Sequence, residues 1–252
     1  MEVDIIPSRK ELVENIGNWC TRDYQLRKGK NICLSNVHMC IETKDNAKFK
    51  EVVNASSLVL PDGKPLCLCQ KLLGAKQVRQ IRGTDLTLRL CRLAQEKGYK
   101  IGLYGGTNEV LELMHEKLHR KFPELNIALS ISPPFRPLSE EENQSYVEQI
   151  NHAEVDILFV GIGCPKQEIW MNHNRDQLKC VMLGVGAAFD FISGRKVNAP
   201  VILQKMYLEW LFRLLMEPAR LWARYLIYNP RFIYLFSKNY KSAKKRGVQT
   251  KH

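Results

Sequence analysis

One stretch, Val155–Asp190, places two glycine-rich turns directly after two short apolar runs. The first run leads into Gly161-Ile-Gly-Cys-Pro-Lys-Gln-Glu168, and the second leads into Gly184-Val-Gly-Ala-Ala-Phe-Asp190. Apolar runs this short, bounded by glycine, are typical of strands buried on both faces of a parallel sheet. Ligands of such sheets bind where strands end and helices begin, because free backbone N–H groups and the helix dipole favour anions there. The stretch therefore predicts a site for a phosphate-bearing ligand.

The rest of the first 200 residues repeats this alternation of short apolar runs and helical patterns. Helices are predicted over Ser8–Ile16, Ile41–Val53 and Leu66–Leu73, then from Thr84, a candidate N-cap, and from Ser139, which opens a capping-box pattern with Glu142. The further predicted strands are Val3–Ile6, Asn31–His38, Ser57–Leu60, Lys100–Tyr104 and Asn126–Ile131. Strands alternating with helices predict an α/β protein with a doubly wound, mostly parallel sheet and helices on both faces.

The pattern changes after Pro200, so we predict a sheet domain over residues 1–200 and a helical appendage over 201–252. Leu203–Leu215 carries an apolar stripe at helical spacing, Pro218 is placed to start a second helix, and Asn229-Pro230 interrupts the pattern again. Amphipathic helices rich in Trp, Tyr, Leu and Arg suit a membrane interface. The same stripe also suits a helix that docks on the sheet domain. The sequence leaves both interpretations open.

Charge is concentrated in this appendage. The chain carries a net charge of +12, and from Leu203 onward eleven lysines and arginines against two glutamates give +9. A cationic segment of this kind favours a polyanion such as anionic lipid, nucleic acid or a diphosphate, although a solvated terminus has the same composition.

Several protein classes are disfavoured. Without an 18-residue uncharged apolar run, a spanning helix is not expected, and Met1–Pro7 lacks the basic region and apolar core of a signal peptide. The eight cysteines form no CxxC pair, so we expect free thiols in a reducing cytoplasm rather than a zinc site. The chain also lacks an Asp-x-Asp pair, which predicts that cations and helix dipoles, not a metal ion, neutralise a diphosphate.

Individual residues admit a catalytic and an ordinary interpretation. Asp62, in a Pro-Asp-Gly turn at a strand end, suits either a general base or a turn former. Lys166 and Gln167 follow Pro165 in the first turn of a predicted helix, where they suit a pyrophosphate or sugar, although Lys166 also fits a solvated surface. Asp190 suits either a ribose contact or a turn cap. Gly105 and Gly106 lie in a loop that lacks a full GxGxxG, which disfavours NAD.

An ordered set of motifs along almost the whole chain resembles the WecG/TagA/CpsF family of bacterial glycosyltransferases. The motifs are Ser35-Asn-Val-His38, Leu60-Pro-Asp-Gly-Lys-Pro-Leu66, Arg82-Gly-Thr-Asp-Leu86, Tyr104-Gly-Gly-Thr107, Ser132-Pro-Pro-Phe-Arg-Pro137, Gly161–Glu168, Val185–Asp190, Leu208-Glu-Trp-Leu-Phe-Arg213 and Asn229-Pro-Arg231. Each motif alone is weak, but their order is specific.

The resemblance implies a Rossmann-like fold and an inverting, metal-independent transfer of an N-acetylmannosamine-type sugar from a UDP donor. It implies a polyprenyl-diphosphate-linked saccharide acceptor on the anionic inner membrane surface, in teichoic acid, capsule or other exopolysaccharide synthesis. A peripheral protein on the cytoplasmic side of the membrane follows, and a homo-oligomer stays open. The implied catalytic residues are Asp62, as base, and Gln167. The predicted substrate-binding residues are Ser35, Asn36, Arg82, Thr84, Gly105, Gly106, Gly163, Lys166, Gly186, Asp190, Arg213, Arg220 and Arg224.

Two other functions remain as alternatives. A nucleic-acid-binding protein would use the basic tail, but its aromatic residues follow apolar helical spacing rather than a stacking platform. An NAD-linked oxidoreductase would need a dinucleotide loop that the Gly102–Thr107 segment matches poorly.

Overall fold

Six parallel strands form one sheet in the order β2-β1-β6-β5-β3-β4 in a computed structural model of the chain. The structure describes residues 3–4, 8–20, 23–197, 199–200, 202–203 and 209–246. The strands are β1 (Lys30–Ser35), β2 (Leu58–Pro61), β3 (Ile101–Gly105), β4 (Ile127–Ile131), β5 (Ile157–Gly161) and β6 (Val181–Gly184). The predicted α/β, Rossmann-like class with a parallel sheet is confirmed.

Helices cover both faces of this sheet. In the sheet domain they are α1 (Arg9–Cys20), α2 (Val37–Asp45), α3 (Ala47–Asn54), α4 (Lys64–Leu72), α5 (Gly83–Lys97), α6 (Asn108–Lys121), α7 (Glu140–His152), α8 (Lys166–Asn174) and α9 (Ala188–Ile192). Beyond residue 200 the helices fully contained in the described residues are α10 (Glu209–Met216), α11 (Pro218–Ala223), a π-helical turn (Arg224–Tyr228) and α12 (Asn229–Arg246).

The core consists of two apolar layers, one on each side of the sheet. Successive residues of a strand point to opposite faces, so Ile157 and Phe159 pack with α1, α5, α6 and α9, whereas Leu158 and Val160 pack with α2, α3, α7 and α8. Because both faces are covered, the strands need apolar residues at nearly every position. This explains why they appear in the sequence as short continuous apolar runs.

Two predicted elements end earlier than expected because asparagine caps compete with them. The predicted strand to His38 stops at Ser35, since Asn36 caps α2 and its Oδ1 accepts a hydrogen bond from Met39 N at 3.2 Å. The predicted helix Ile41–Val53 is two helices, because Asn46 ends α2 and caps α3. Asn46 Oδ1 accepts from Phe49 N at 3.0 Å. Such side-chain acceptors satisfy free helix N–H groups.

Three further predictions need correction, while one is confirmed in full. The N-cap of α5 is Arg82 and not Thr84, because the helix begins at Gly83. Val3 and Asp4 are not in a strand, and residues 5–6 lie outside the described part of the chain. Pro230 does not interrupt the helical path but lies in the first turn of α12. The capping box at Ser139 and Glu142 is confirmed, with both reciprocal hydrogen bonds formed.

The C-terminal helices lie against the carboxyl edge of the sheet domain. Arg231 of α12 forms two hydrogen bonds with Asp45 of α2, one of them 2.6 Å long. Tyr240 donates a hydrogen bond to Leu72 O of α4 at 3.1 Å. Among the described helices, none has the length and apolar character needed to cross a bilayer. The division into two domains at residue 200 stays a prediction.

Candidate active site

A cavity of about 1880 Å³ lies between the carboxyl edge of the sheet and the C-terminal helices. Its floor consists of the turns that follow four adjacent strands, β2, β1, β6 and β5. The carboxyl ends of parallel strands share one edge, so residues far apart in the sequence meet here. The predicted site residues that line this cavity are Asn36, Asp62, Arg82, Thr84, Gly163, Gln167, Gly186 and Arg213.

Asp62 lies in the turn after β2, next to the turn after β1. Its backbone N–H donates to Ser35 O at 2.8 Å, and its carbonyl accepts a hydrogen bond from the Gln80 side chain. These backbone contacts fix the turn, while the half-exposed residue lines the cavity. Asp62 is therefore part of the cavity floor, a position compatible with its predicted role as a general base.

Gln167 contacts both the turn after β5 and the end of β6. The side chain is 4% exposed, and its Oε1 accepts a hydrogen bond from Gly163 N at 3.2 Å. Gly184 lets the β6 turn approach closely, because a Cβ there would lie 2.9 Å from Gln167 Nε2. Each amide group has two donors and two acceptor sites. The hydrogen bonds of Gln167 to Gly163 and Glu168 therefore leave one donor and one acceptor for a ligand.

Glu168 supports Gln167 from the protein interior. Its Oε1 accepts a hydrogen bond from Gln167 Nε2 at 2.7 Å, and the residue is fully buried. Burial raises the pKa of the Glu168 carboxyl, and the hydrogen bonds from Gln167 and the Cys164 thiol oppose this only in part. Burial likewise raises the pKa of the Cys164 thiol, which keeps it protonated. Glu168 is therefore part of the supporting structure, whereas Cys164 is partly exposed and lines the cavity with a protonated thiol.

The first turn of α5 forms a second wall. Gly83 allows the helix to pack on the β6 turn, since a Cβ there would meet Val185 O at 3.2 Å. Gly83 and Thr84 line the cavity, and the N–H groups of this turn receive no side-chain cap. Uncapped N–H groups and the positive end of the dipole of this 15-residue helix favour an anion. Arg82, the N-cap residue, also lines the cavity and carries a positive charge.

Arg213 reaches the cavity from the C-terminal helices. Its guanidinium lies over the Phe191 ring, 4.8 Å from the ring centroid, and both side chains line the cavity. A cation held over an aromatic face keeps its donors in a defined direction. The side chains of Arg220 and Arg224 lie outside the described part of the chain, so their predicted role stays a prediction.

Five predicted site residues do not line this cavity. Ser35 is fully buried, with its hydroxyl 4.0 Å from Cys40 Sγ. Gly105 and Gly106 are required by packing and backbone conformation: a Cβ on Gly105 would lie 2.6 Å from the Gly161 carbonyl carbon, and Gly106 has φ +70°. Lys166 is exposed at the start of α8, and Asp190 forms an ion pair with Lys196. Direct substrate contact by these five is thus less well supported than by the lining residues.

Sequence reasoning missed several residues that complete the site. Gln80 holds the Asp62 turn, although it lies 18 positions away in a segment without a pattern. Tyr228 stacks on His38 with ring centroids 5.5 Å apart, and His38 lines the cavity. Local periodicity carries no signal for such long-range contacts. Within the described ranges, His, Cys, Asp and Glu side chains form no group of three that could hold a metal ion.

Glu168→Gln is expected to change how stability depends on pH. A carboxyl whose pKa is raised on folding makes its full contribution to the free energy of unfolding at pH values below its unfolded pKa, near 4.5. That contribution falls as pH rises towards the folded value, because the unfolded chain ionises first. The Glu168→Gln side chain does not ionise, so the variant does not lose this stability as pH rises. Its amide oxygen still accepts the hydrogen bond from Gln167. Its free energy of unfolding relative to the wild type should therefore rise with pH, by at most about 1.4 kcal/mol per pH unit.

Urea denaturation of both proteins from pH 4.5 to 8 measures this difference. Glu14→Gln is the control, because the Glu14 side chain is 58% exposed on α1. A difference between the Glu168 variant and the wild type that stays constant with pH would contradict the raised pKa.

Two comparisons with known proteins agree with this geometry. The family model described as glycosyl transferase WecG/TagA/CpsF family matches residues 1–246. The chain is also 28% identical, over 245 residues, to an N-acetylglucosaminyldiphosphoundecaprenol N-acetyl-beta-D-mannosaminyltransferase from Bacillus spizizenii. That alignment covers 97% of this chain and 92% of the relative. Together with the parallel sheet and the cavity at its carboxyl edge, the match over nearly the full length shows that the chain belongs to the WecG/TagA/CpsF family of glycosyl transferases.

Proposed function

We propose that this glycosyltransferase moves an N-acetylmannosamine-type sugar from a UDP donor to a saccharide linked to a polyprenyl diphosphate. The observation that carries the proposal is that one cavity contains both the Asp62 carboxylate and an anion-favouring wall formed by α5 and Arg213. A sugar transfer from a nucleotide diphosphate needs a base on one side of the anomeric carbon and charge stabilisation on the other.

The donor diphosphate is assigned to the wall formed by the first turn of α5 and the β6 turn. The first turn of α5 has N–H groups without a side-chain cap, and Arg82 supplies a positive charge. Gln167 lies beside the β6 turn in the same cavity, with one amide donor and one acceptor available. It is suited to orient the sugar or the diphosphate.

The acceptor hydroxyl is assigned to Asp62. As the hydroxyl oxygen bonds to the anomeric carbon, its proton passes to the Asp62 carboxylate and the bond between that carbon and the diphosphate oxygen breaks. Attack from the face opposite the leaving group inverts the anomeric configuration. The electron pair of the broken bond stays on UDP, where Arg213 and the helix N–H groups stabilise it. In this proposal no metal ion takes part.

The acceptor class rests on the relative and on the charge of the appendage. The Bacillus spizizenii protein is named for an undecaprenol-diphosphate-linked substrate. In this chain the residues from Leu203 onward carry a net +9 next to exposed Trp, Leu and Ile side chains. Family membership favours a transferase over the nucleic-acid-binding and NAD-linked alternatives.

UDP release measured across a set of UDP-sugars, with N-acetylglucosaminyl diphosphate on a short lipid as acceptor, tests the proposal. We expect release with the N-acetylmannosamine donor that depends on the acceptor. Release without acceptor dependence, or with no UDP-sugar at all, would contradict it.

Membrane attachment through the outer face of the C-terminal helices is a separate prediction. Leu215, Trp222 and Ile227 are each at least half exposed and do not line the cavity. Replacing all three with Gln should lower partitioning to anionic vesicles at least tenfold, because each buried apolar side chain contributes about 1.5–3 kcal/mol. Vesicle sedimentation measures the effect.

Leu26→Gln provides a matched control, because Leu26 is 77% exposed near α1 and outside the appendage. If the triple variant and the Leu26 variant partition equally well, the appendage is not the membrane contact. Transfer to a water-soluble acceptor should be unchanged in both variants.

A further inference from the structure

The cavity is larger than a single nucleotide sugar requires. Its volume is about 1880 Å³, whereas pockets for one small ligand measure about 300–1,000 Å³. The polar floor described above occupies the part next to the strand ends. The remaining part lies between α4 and α12, and its lining has a different chemistry.

This second part is an apolar groove, here named the α4–α12 groove. Its apolar lining residues are Leu68, Leu72, Phe232, Ile233, Phe236 and Tyr240, and the polar residues Lys71 and Ser237 line the same two helices. Leu68 is 59% exposed and Ile233 is 63% exposed, although both lie in the cavity wall. Large apolar side chains left in contact with water, side by side, mark a binding surface more often than scattered ones do.

The walls of the α4–α12 groove are fixed by contacts on both sides. Tyr240 of α12 donates to Leu72 O of α4, and Arg231 pairs with Asp45 of α2. Between these contacts the rings of Phe232, Phe236 and Tyr240 follow one another, with centroids 6.5 Å and 5.7 Å apart. The groove is therefore a preformed aromatic and aliphatic channel that is continuous with the Asp62 turn.

We propose that the α4–α12 groove binds the isoprene units of the acceptor lipid that lie nearest its diphosphate. This inference rests on the proposed function. An acceptor with a saccharide diphosphate head and a polyprenyl chain needs a polar chamber joined to an apolar one, which is the arrangement of this cavity. The chain from Leu203 onward carries a net charge of +9, which favours an anionic membrane as the place where the rest of the prenyl chain lies.

The groove accordingly selects the acceptor by its lipid as well as by its sugar. A polar substitution in the groove should weaken binding of a prenyl chain but not of a diphosphate with a methyl group. Ile233→Gln tests this, and Tyr234→Gln is its matched control. The two residues are adjacent in α12, 63% and 64% exposed, and only Ile233 lines the cavity.

The binding experiment uses geranyl diphosphate and methyl diphosphate with the full chain, without vesicles or detergent and below the aggregation concentration of the lipid. By calorimetry we expect the wild type to bind geranyl diphosphate at least tenfold more tightly than methyl diphosphate. Ile233→Gln should remove most of this difference, and Tyr234→Gln should leave it unchanged. Equal affinity of the wild type for both ligands, or equal losses in the two variants, would overturn the inference.

A transfer assay separates this inference from the proposed function. It compares N-acetylglucosaminyl diphosphate carrying a geranyl or a methyl group as acceptors. Transfer to both with the same KM would retain the function and overturn the groove assignment. Transfer to neither, together with chain-dependent binding of geranyl diphosphate, would retain the lipid groove and contradict the proposed reaction.

Discussion

Asp62→Asn is expected to lower kcat by about 10²–10⁴-fold, the usual contribution of a positioned general base. The backbone contacts of Asp62 with Ser35 and Gln80 do not need the carboxylate, so the turn should keep its conformation. The affinity for UDP should stay within about twofold, because the diphosphate wall belongs to α5 and the β6 turn. Steady-state kinetics and UDP calorimetry measure the two quantities separately.

A pH profile distinguishes a base from a structural role. The rise of kcat/KM with pH that reports the base should disappear in Asp62→Asn, while Asp62→Glu should retain it at a lower rate. Asp176→Asn is the control, because its side chain is 92% exposed on a loop. Normal turnover in Asp62→Asn would remove Asp62 from the base role, whatever its position in the cavity.

Arg213→Ala is expected to lower kcat by about 10²–10³-fold with a much smaller change in KM. The guanidinium lines the cavity over Phe191, and we assign it to charge that develops on the leaving diphosphate. Removing one such donor costs about 2.7–4 kcal/mol in the transition state. Because the charge grows as the bond breaks, the loss falls mainly on kcat.

Arg213→Lys should restore only part of this rate, since lysine keeps the charge but not the planar pair of donors. Arg195→Ala is the control for loss of a cation. Arg195 pairs with Glu109 at 3.8 Å and does not line the cavity. Equal turnover of Arg213→Ala and Arg195→Ala would show that Arg213 makes no specific contribution to catalysis in the cavity.

Local signals in the sequence were sufficient for the elements themselves. The capping box at Ser139 needs only residues within one helical turn, and it is formed as predicted. The apolar runs of β5 and β6 likewise follow from burial on both faces. The split at Asn46 was missed because a helical apolar pattern continues across it, and the side-chain cap that divides the helices competes at that position.

The predicted site residues fall into two groups. The position of one group follows from nearby sequence, whereas the role of the other depends on tertiary contacts. Asn36 and Asp62 follow strand ends directly, Gln167 lies in the first turn of the helix after β5, and the structure brings all three to one cavity. Gly105 resembled a ligand loop, but a contact with Gly161 explains its need for glycine. Asp190 pairs with Lys196, and its contact with a substrate stays a prediction. The contact of Gly105 with Gly161 cannot be recognised from neighbouring sequence, because it depends on the pairing of β3 with β5.

The sequence by itself determined the alternation of strands and helices, the glycine-rich turns and the ordered motifs, because each depends on residues close together in the chain. Only the tertiary structure decided that β1 lies between β2 and β6. This strand order places the Asp62 turn and the first turn of α5 in the same cavity, and α12 forms one wall of that cavity. Strand order is set by the burial of both sheet faces at once, so no single segment of the sequence contains it.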